Sequence, residues 1–259
     1  MDIITCIKRV PDTSGTDSIK IAESGKDIDR NNLVFKINEW DEYVLETASQ
    51  LKEKSGASFT AITVGSKEWD DILRRALAVG ADHAIRIDED VVNLEPYAVA
   101  VILARVIEKL PYDLVLFGAQ SEDFGSGQTG VMVARLLGIP HATLVVNIVP
   151  EGDTVFVDRE IESGVLESYS IKTPALLTIQ TGINQPRYIS MGGIRRAMKK
   201  EIQNISLKDM DLSLDSLSKR ISIEKLEPPA VGKKAELITG APDEAAGQLA
   251  KILKDAGVY

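Results

Sequence analysis

Between residues 3 and 149, short apolar runs alternate with stretches of helical period, and that rhythm confines the chain to few architectures. IITCIKRV (3–10), SFTAITVG (58–65), HAIRID (83–88), DLVLFG (113–118) and ATLVVNIV (142–149) read as strands, apolar runs bounded by charge, Gly or Pro. Between the first two, DEYVLETASQLKEK puts Val44, Leu45, Ala48 and Leu51 on one stripe. Asp41 and Glu42 fall in its first turn, where carboxylates suit the positive end of the helix dipole. KEWDDILRRALAVG (67–80), EPYAVAVILARVIEKL (95–110) and QTGVMVARLLG (128–138) continue the helical series, closed by Gly80 and by Gly138 with Pro140. Strands that alternate with helices require right-handed crossovers and a mostly parallel sheet, so a doubly wound α/β unit is expected.

The rhythm changes after Pro150. Strands are expected at 154–160 and 165–171 around the turn ESG, and a third at 175–179, forming an antiparallel β extension over 151–183. Residues 184–200, NQPRYISMGGIRRAMKK, read as a loop feeding a short basic helix. Residues 11–37 are polar and irregular, with LVFKI as a short strand. From 201 the chain is polar, punctuated by EPP (227–229) and ended by the helical PDEAAGQLAKILKDAG. Two parts are therefore expected, an α/β domain over 1–200 and an arm over 201–259 that packs on a partner.

Charge and rare residues remove several classes of function. Asp and Glu number 39 against 30 Lys and Arg, a net charge of −9 that opposes a general nucleic-acid binder. The single cysteine, Cys6, rules out an intrachain disulfide, and His83 and His141 lack metal-ligand spacing. These three residues assemble no Ser-His-Asp, Cys-His or paired-carboxylate set, so substrate chemistry is not expected. No apolar run is long enough to span a membrane and MDIITCIKRV lacks a signal-peptide pattern, so the cytoplasm is the default location.

One motif needs its context. Gly125, Gly127 and Gly130 spell G-x-G-x-x-G. A dinucleotide fingerprint follows the first strand and has an acidic residue some twenty positions on. These glycines follow a later strand, and Glu151 lies in an expected hairpin turn, so that reading fails. No Gly-Lys-Ser/Thr follows, which excludes a Walker A loop. The loop still has the parts of an anion site: backbone N–H groups at a helix start, with Gln128 and Thr129 as extra donors, beyond the carboxyl end of a parallel strand. The plainer alternative is a turn that lets the glycines cap a helix.

VDREIESGVLESYSIKTPALLTI (157–179) resembles the signature V-x-R-E-I-D-G-G-x-x-E…L-P-x-x-x-T of the electron transfer flavoprotein beta subunits. Arg159, Glu160, Glu162, Gly164, Glu167, Pro174 and Thr178 fit it; Ser163 replaces a Gly and Tyr169 an aliphatic residue. The resemblance runs from CIKRVPDT (6–13) to PRYISMGGIRRAMKK (186–200). It implies an adenine nucleotide-binding, Rossmann-like (HUP-like) domain. It also implies a heterodimer with an alpha subunit that holds most of a redox FAD, and electron traffic from flavin dehydrogenases, such as acyl-CoA dehydrogenases, to a quinone oxidoreductase or other acceptor.

The same resemblance assigns residues. The beta-subunit nucleotide, usually AMP, would lie on Cys6, Asn38, Glu39, Trp40, Asp41, Val64, Gly118, Ala119, Gln120, Asp123, Phe124, Gly125, Ser126, Gly127, Gln128 and Thr129. Trp40 takes a position where an aromatic often stands near the flavin. Electron-bifurcating members hold a second FAD there and oxidise NADH. Residues 127–132, GQTGVM, are like the Asn-Gln-Thr-Gly-Gln-Met of AMP-binding members, whereas bifurcating members read Gln-Val-Gly-Pro. CIKRVPDT is like the start of bifurcating members, and Asp123-Phe124-Gly125 departs from the usual Asp-Gly-Asp. Thr129, able to donate to a monophosphate at a helix start, favours AMP.

PRYISMGGIRRAMKK resembles the loop by which family members anchor to dehydrogenases, with Met191 at the usual Leu anchor. Ile194 lies beside it, and Arg195, Arg196, Lys199 and Lys200 add basic charge able to steer an acidic partner. Arg159 and Glu160 match the pair that positions the mobile flavin domain against the alpha subunit. A stand-alone stress-type nucleotide-binding domain shares the fold type but lacks the 150–200 segment.

Overall fold

The computed structural model describes residues 1–15, 19–31, 33–89, 94–213, 217, 220–228 and 235–258. The chain opens with β1 (Asp2–Cys6), a short hairpin of β2 (Arg9–Pro11) and β3 (Phe35–Ile37), and helix α1 (Glu39–Ser55). β4 (Ser58–Val64), α2 (Asp70–Val79), β5 (His83–Asp88), α3 (Pro96–Ile107), β6 (Leu114–Gly118) and α4 (Thr129–Leu137) continue the alternation. β7 (His141–Glu151), β8 (Thr154–Glu160), β9 (Leu166–Lys172), β10 (Ala175–Ile179), α5 (Met191–Lys199), β11 (Gln203–Ser206) and α6 (Pro242–Asp255) follow.

Nine strands form one sheet in the order β11-β5-β4-β1-β6-β10-β7-β8-β9. β1 lies at the middle of its parallel part, parallel to β4 on one side and to β6 on the other, with Ile3 opposite both Phe59 and Leu114. The chain leaves β1 through α1 toward β4, and leaves β6 through α4 in the other direction. Adjacent strands with diverging exits open a crevice at their carboxyl ends. Both faces are covered. Val44, Leu45 and Leu73 of α1 and α2 pack with Phe59, Leu116 and Leu177 on one side. Ile102, Leu103 and Val133 of α3 and α4 pack with Ile4, Ile62 and Val115 on the other. Each such fully buried Leu, Ile or Phe contributes about 1.5–3 kcal/mol.

Three expectations need correction. The strand expected over 3–10 is two: the main-sheet ladder ends near Ile7, whose N–H donates to Ile62 O, and the chain then turns so that Arg9–Pro11 pairs antiparallel with Phe35–Ile37. The run 175–179, expected in the antiparallel extension, is a central parallel strand between β6 and β7. Its five residues are all buried, and a continuous apolar run is what a parallel strand covered on both faces needs. Within the nine-stranded sheet, the antiparallel pairs are β7 with β8 and β8 with β9. Residues 203–206, expected in the arm, add β11 to the sheet edge beside β5, and Leu207 and Met210 are buried behind it.

Candidate functional site

The crevice between β1 and β6 is closed at its base by a hydrogen-bonded knot at the start of α1. Asn38, the N-cap, donates from Nδ2 to Gln120 O at 2.9 Å and accepts at Oδ1 from Glu122 N–H at 3.0 Å. The loop after β6 is thereby tied to α1. Asp41, one turn on and buried, accepts from Lys8 N–H at 2.7 Å, which ties the end of β1 to the same point. Burial pushes its carboxyl up to about 7, against hydrogen bonds from Lys8, Asn38 and Gly118 that favour the charged form.

Gly118 ends β6 against this knot. A Cβ there would lie 2.4 Å from Asp41 Oδ1 and 2.7 Å from Trp40 Cβ, so no larger residue fits the same backbone. Trp40 is held by a bond from its indole N–H to Gln180 Oε1 at 3.1 Å. Cys6 and Val64, the last residues of β1 and β4, are buried, and burial pushes the Cys6 thiol well above its ordinary value. Glu39 is exposed. The carboxyl ends of β4, β1 and β6 are successive in the sheet, so the floor they form is about 10 Å wide.

Residues 119–128 rise from that floor and lead into α4. Gly125 and Gly127 take positive φ of 59°, and Gly125 N–H closes a turn onto Ser121 O at 2.8 Å. Asp123 through Gln128 are exposed, while Thr129 is partly buried. The N-terminus of α4 has no side-chain cap and no acidic residue in its first turn, whereas α1 carries Glu39, Asp41 and Glu42 there. Its first turn thus supplies no carboxylate of its own to the N–H donors, an arrangement suited to phosphate. An uncapped, acid-free helix start at Thr129 makes the residues present compatible with the phosphate of an adenine nucleotide.

Lys8 escaped the sequence reading. Its ammonium bonds Asp123 Oδ1 at 2.7 Å and Ser121 Oγ at 3.3 Å, and lies 4.8 Å from the Phe124 ring centroid. Phe124, 61% exposed, is steadied at the rim by this cation. Lys36 likewise bonds Glu122 at 3.2 Å. The available signal for Lys8 was its place directly after β1 in CIKRVPDT.

The other expected residues lie elsewhere. β10 and β7 separate β8, with Arg159 and Glu160, from β6 in the sheet. Arg159 meets Glu167 across the hairpin at 3.4 Å, and Glu160 is exposed. Met191, Ile194, Arg195 and Arg196 are exposed on α5, which rests on α2. Met198 and Tyr188, 66% and 95% exposed, extend that apolar surface and were also missed. The spacing 191, 194, 198 is the helical signal that pointed to Met198. Among the described residues no cluster of His, Cys, Asp and Glu is arranged to hold a metal, and no helix is long and apolar enough to cross a membrane.

The electron transfer flavoprotein domain family matches residues 27–210. The chain is 34% identical to the electron transfer flavoprotein subunit beta of Methylophilus methylotrophus, with 98% of each chain covered. It is 35% identical to that of Bacillus subtilis, again over 98% of both. Against the Homo sapiens subunit it is 34% identical, covering 90% of this chain and 92% of the other.

Proposed function

The chain belongs to the electron transfer flavoprotein family as a beta subunit, and from that premise we propose that it pairs with an alpha subunit to carry electrons in the cytoplasm from flavin dehydrogenases to a quinone oxidoreductase or another acceptor. The crevice over β4, β1 and β6 holds AMP in this reading. Backbone at Cys6, Asn38–Asp41, Val64 and Gly118–Gln120 forms the floor, and Ser126–Thr129 receives the phosphate. The observation that carries this is the uncapped, acid-free start of α4 set directly above the Gly118 floor.

A bound flavin supplies one- and two-electron transfer, and in this reading the alpha subunit holds it. This chain contributes binding surface. Helix α6 has no buried residue, yet Leu249 and Ile252 lie along it, half exposed, as a helix does that awaits a partner. Glu160, exposed beside the Arg159–Glu167 pair, is placed for a weak and reversible contact with a moving flavin domain. The second half of the proposal is tested by co-expressing the chain with its alpha subunit and adding an acyl-CoA dehydrogenase reduced by its acyl-CoA. Bleaching of the flavin absorbance in the purified heterodimer is expected. A heterodimer whose flavin stays oxidised with that donor contradicts the acyl-CoA dehydrogenase assignment, and failure to form a heterodimer contradicts the reading altogether.

A further inference from the structure

The surface around Met191 is a short helix at the end of an irregular run, a construction that frays unless something holds it. The structure holds it at both ends with arginines that reach other helices. Before the helix, Arg187 forks onto α1. Its Nε donates to Glu46 Oε2 at 2.7 Å and its Nη2 to Glu46 Oε1 at 3.1 Å, while Nη1 reaches Glu53 Oε1 at 2.5 Å. The backbone N–H of Arg187 also donates to Glu46 Oε2 at 3.2 Å. The Glu46 side chain is only 5% exposed, and besides this arginine it accepts from Gln50 Nε2 at 2.9 Å. Asn184 adds bonds from Nδ2 to Thr47 Oγ1 at 2.8 Å and Tyr43 O at 3.1 Å.

After the helix, Arg74 of α2 donates from Nη1 to Ala197 O at 2.6 Å and to Lys200 O, filling carbonyls that a helix end leaves open. Lys200 returns a bond to Ala81 O at 2.6 Å. Ser190 caps the start by accepting from Gly193 N–H at 3.1 Å. Gly193 lies so near α2 that an added Cβ would sit 3.0 Å from Ala78 O. The outer face is left to Tyr188, Met191, Ile194 and Met198, with Arg195, Arg196 and Lys199 around them.

We infer that Arg187 and Arg74 are positioning residues that hold 184–200 as a preformed docking surface, so that a dehydrogenase meets Met191 in an ordered helix and bears no cost of ordering it. The inference rests on the proposed electron-carrier function and on the docking role that the family resemblance implies for Met191. Its physical basis is that ordering a loop on binding subtracts from affinity, while an already ordered one keeps it. The contact that joins 184–200 to α1 is a planar fork from Arg187 onto Glu46, which a lysine cannot reproduce.

The test uses the heterodimer with its alpha subunit and an acyl-CoA dehydrogenase reduced by its acyl-CoA as electron donor. Arg187→Ala leaves Glu46 buried without its countercharge, so the paired variant Glu46→Gln/Arg187→Gln, which removes both charges and leaves a shorter polar side chain at 187, guards against misfolding. Arg187→Lys and Met191→Ala complete the set. Amide hydrogen exchange of 185–198 is expected to quicken by roughly tenfold or more in Arg187→Ala and in the paired variant, with exchange in β1, β4 and β6 unchanged. The KM for the flavoprotein is expected to rise by roughly five- to twentyfold with kcat held, and Arg187→Lys to fall between. Unchanged exchange over 185–198, or a raised KM in Met191→Ala with none in either Arg187 variant, overturns the inference. Faster exchange with unchanged KM in every variant, Met191→Ala included, overturns instead the docking reading beneath it.

Discussion

Helix α1 serves two regions that are held in opposite ways. Its first turn closes the crevice through Asn38 and Asp41, where backbone and side chains meet with no spare space: Lys8, Gly118, Gln120 and Glu122 all bond or abut the two residues. Farther along, buried Glu46 and exposed Glu53 hold the segment that leads to Met191 through the Arg187 fork. The first region tolerates almost no added atom. The second depends on one planar, charged contact. Under the proposed function, the first would have to be one fixed shape for a nucleotide, and the second would have to be held firmly and still face solvent.

The largest expected effect is on the first region. Asp41 titrates at about 7 in the fold and near its ordinary 3.8 when unfolded, so between those values the folded chain holds the extra proton. Its contribution is full below about pH 4 and is lost as pH rises through about 7. The stability difference between the wild-type chain and Asp41→Asn should therefore shrink by on the order of a few kcal/mol from pH 4 to above pH 7, read by denaturant unfolding. Parallel curves for the two proteins would show that Asp41 is already ionised in the fold. Next in size, Gly118→Ala should cost about 1–3 kcal/mol and lower nucleotide content, because α1 must retreat from the added Cβ. Normal unfolding and full nucleotide content in that variant would break the picture of a floor without slack.

Effects outside the crevice should be smaller. Glu160→Ala is expected to slow electron transfer between proteins by no more than about fivefold with flavin content unchanged, since an exposed pair is worth about 1 kcal/mol at most. Lost flavin would make Glu160 structural. Smallest of all, Glu53→Gln should shift the unfolding free energy by less than about 1 kcal/mol, because Glu53 is the exposed prong of the Arg187 fork and Glu46 remains. A larger loss would mean that the fork acts as one unit.

What the sequence revealed follows from how local each signal is. The alternation of strands and helices is written in periods of two and 3.6 residues, and β4, β5, β6 and their helices emerged within a few positions of their expected ends. Residue identity also marked Asn38, Asp41 and Gly118, because the family resemblance spans those positions. Order in the sheet is not local. β10 follows a hairpin in sequence and so looked like its third strand, yet it enters the sheet between β6 and β7, a choice made by burial on both faces. β11 stood in a polar stretch with no strand signature and was secured by the open edge of β5.

The missed site residues share that cause. Lys8 meets Asp123 across 115 positions and Arg187 meets Glu46 across 141, and no spacing rule links such pairs before the fold brings them together. Phe124 looked like an odd substitution in a glycine-rich loop, and the Lys8 ammonium beside its ring gives it a place at the rim. Met198 differed: its helical spacing from Met191 and Ile194 was legible, but attention to the anchor position alone passed it over.

The most direct test of the account is to purify the chain with its alpha subunit, denature the heterodimer and quantify the released nucleotides by chromatography. One FAD and one AMP per heterodimer are expected, the AMP from the crevice between β1 and β6. Two FAD and no AMP would contradict the account and place a second flavin on the loop from Gly118 to Thr129.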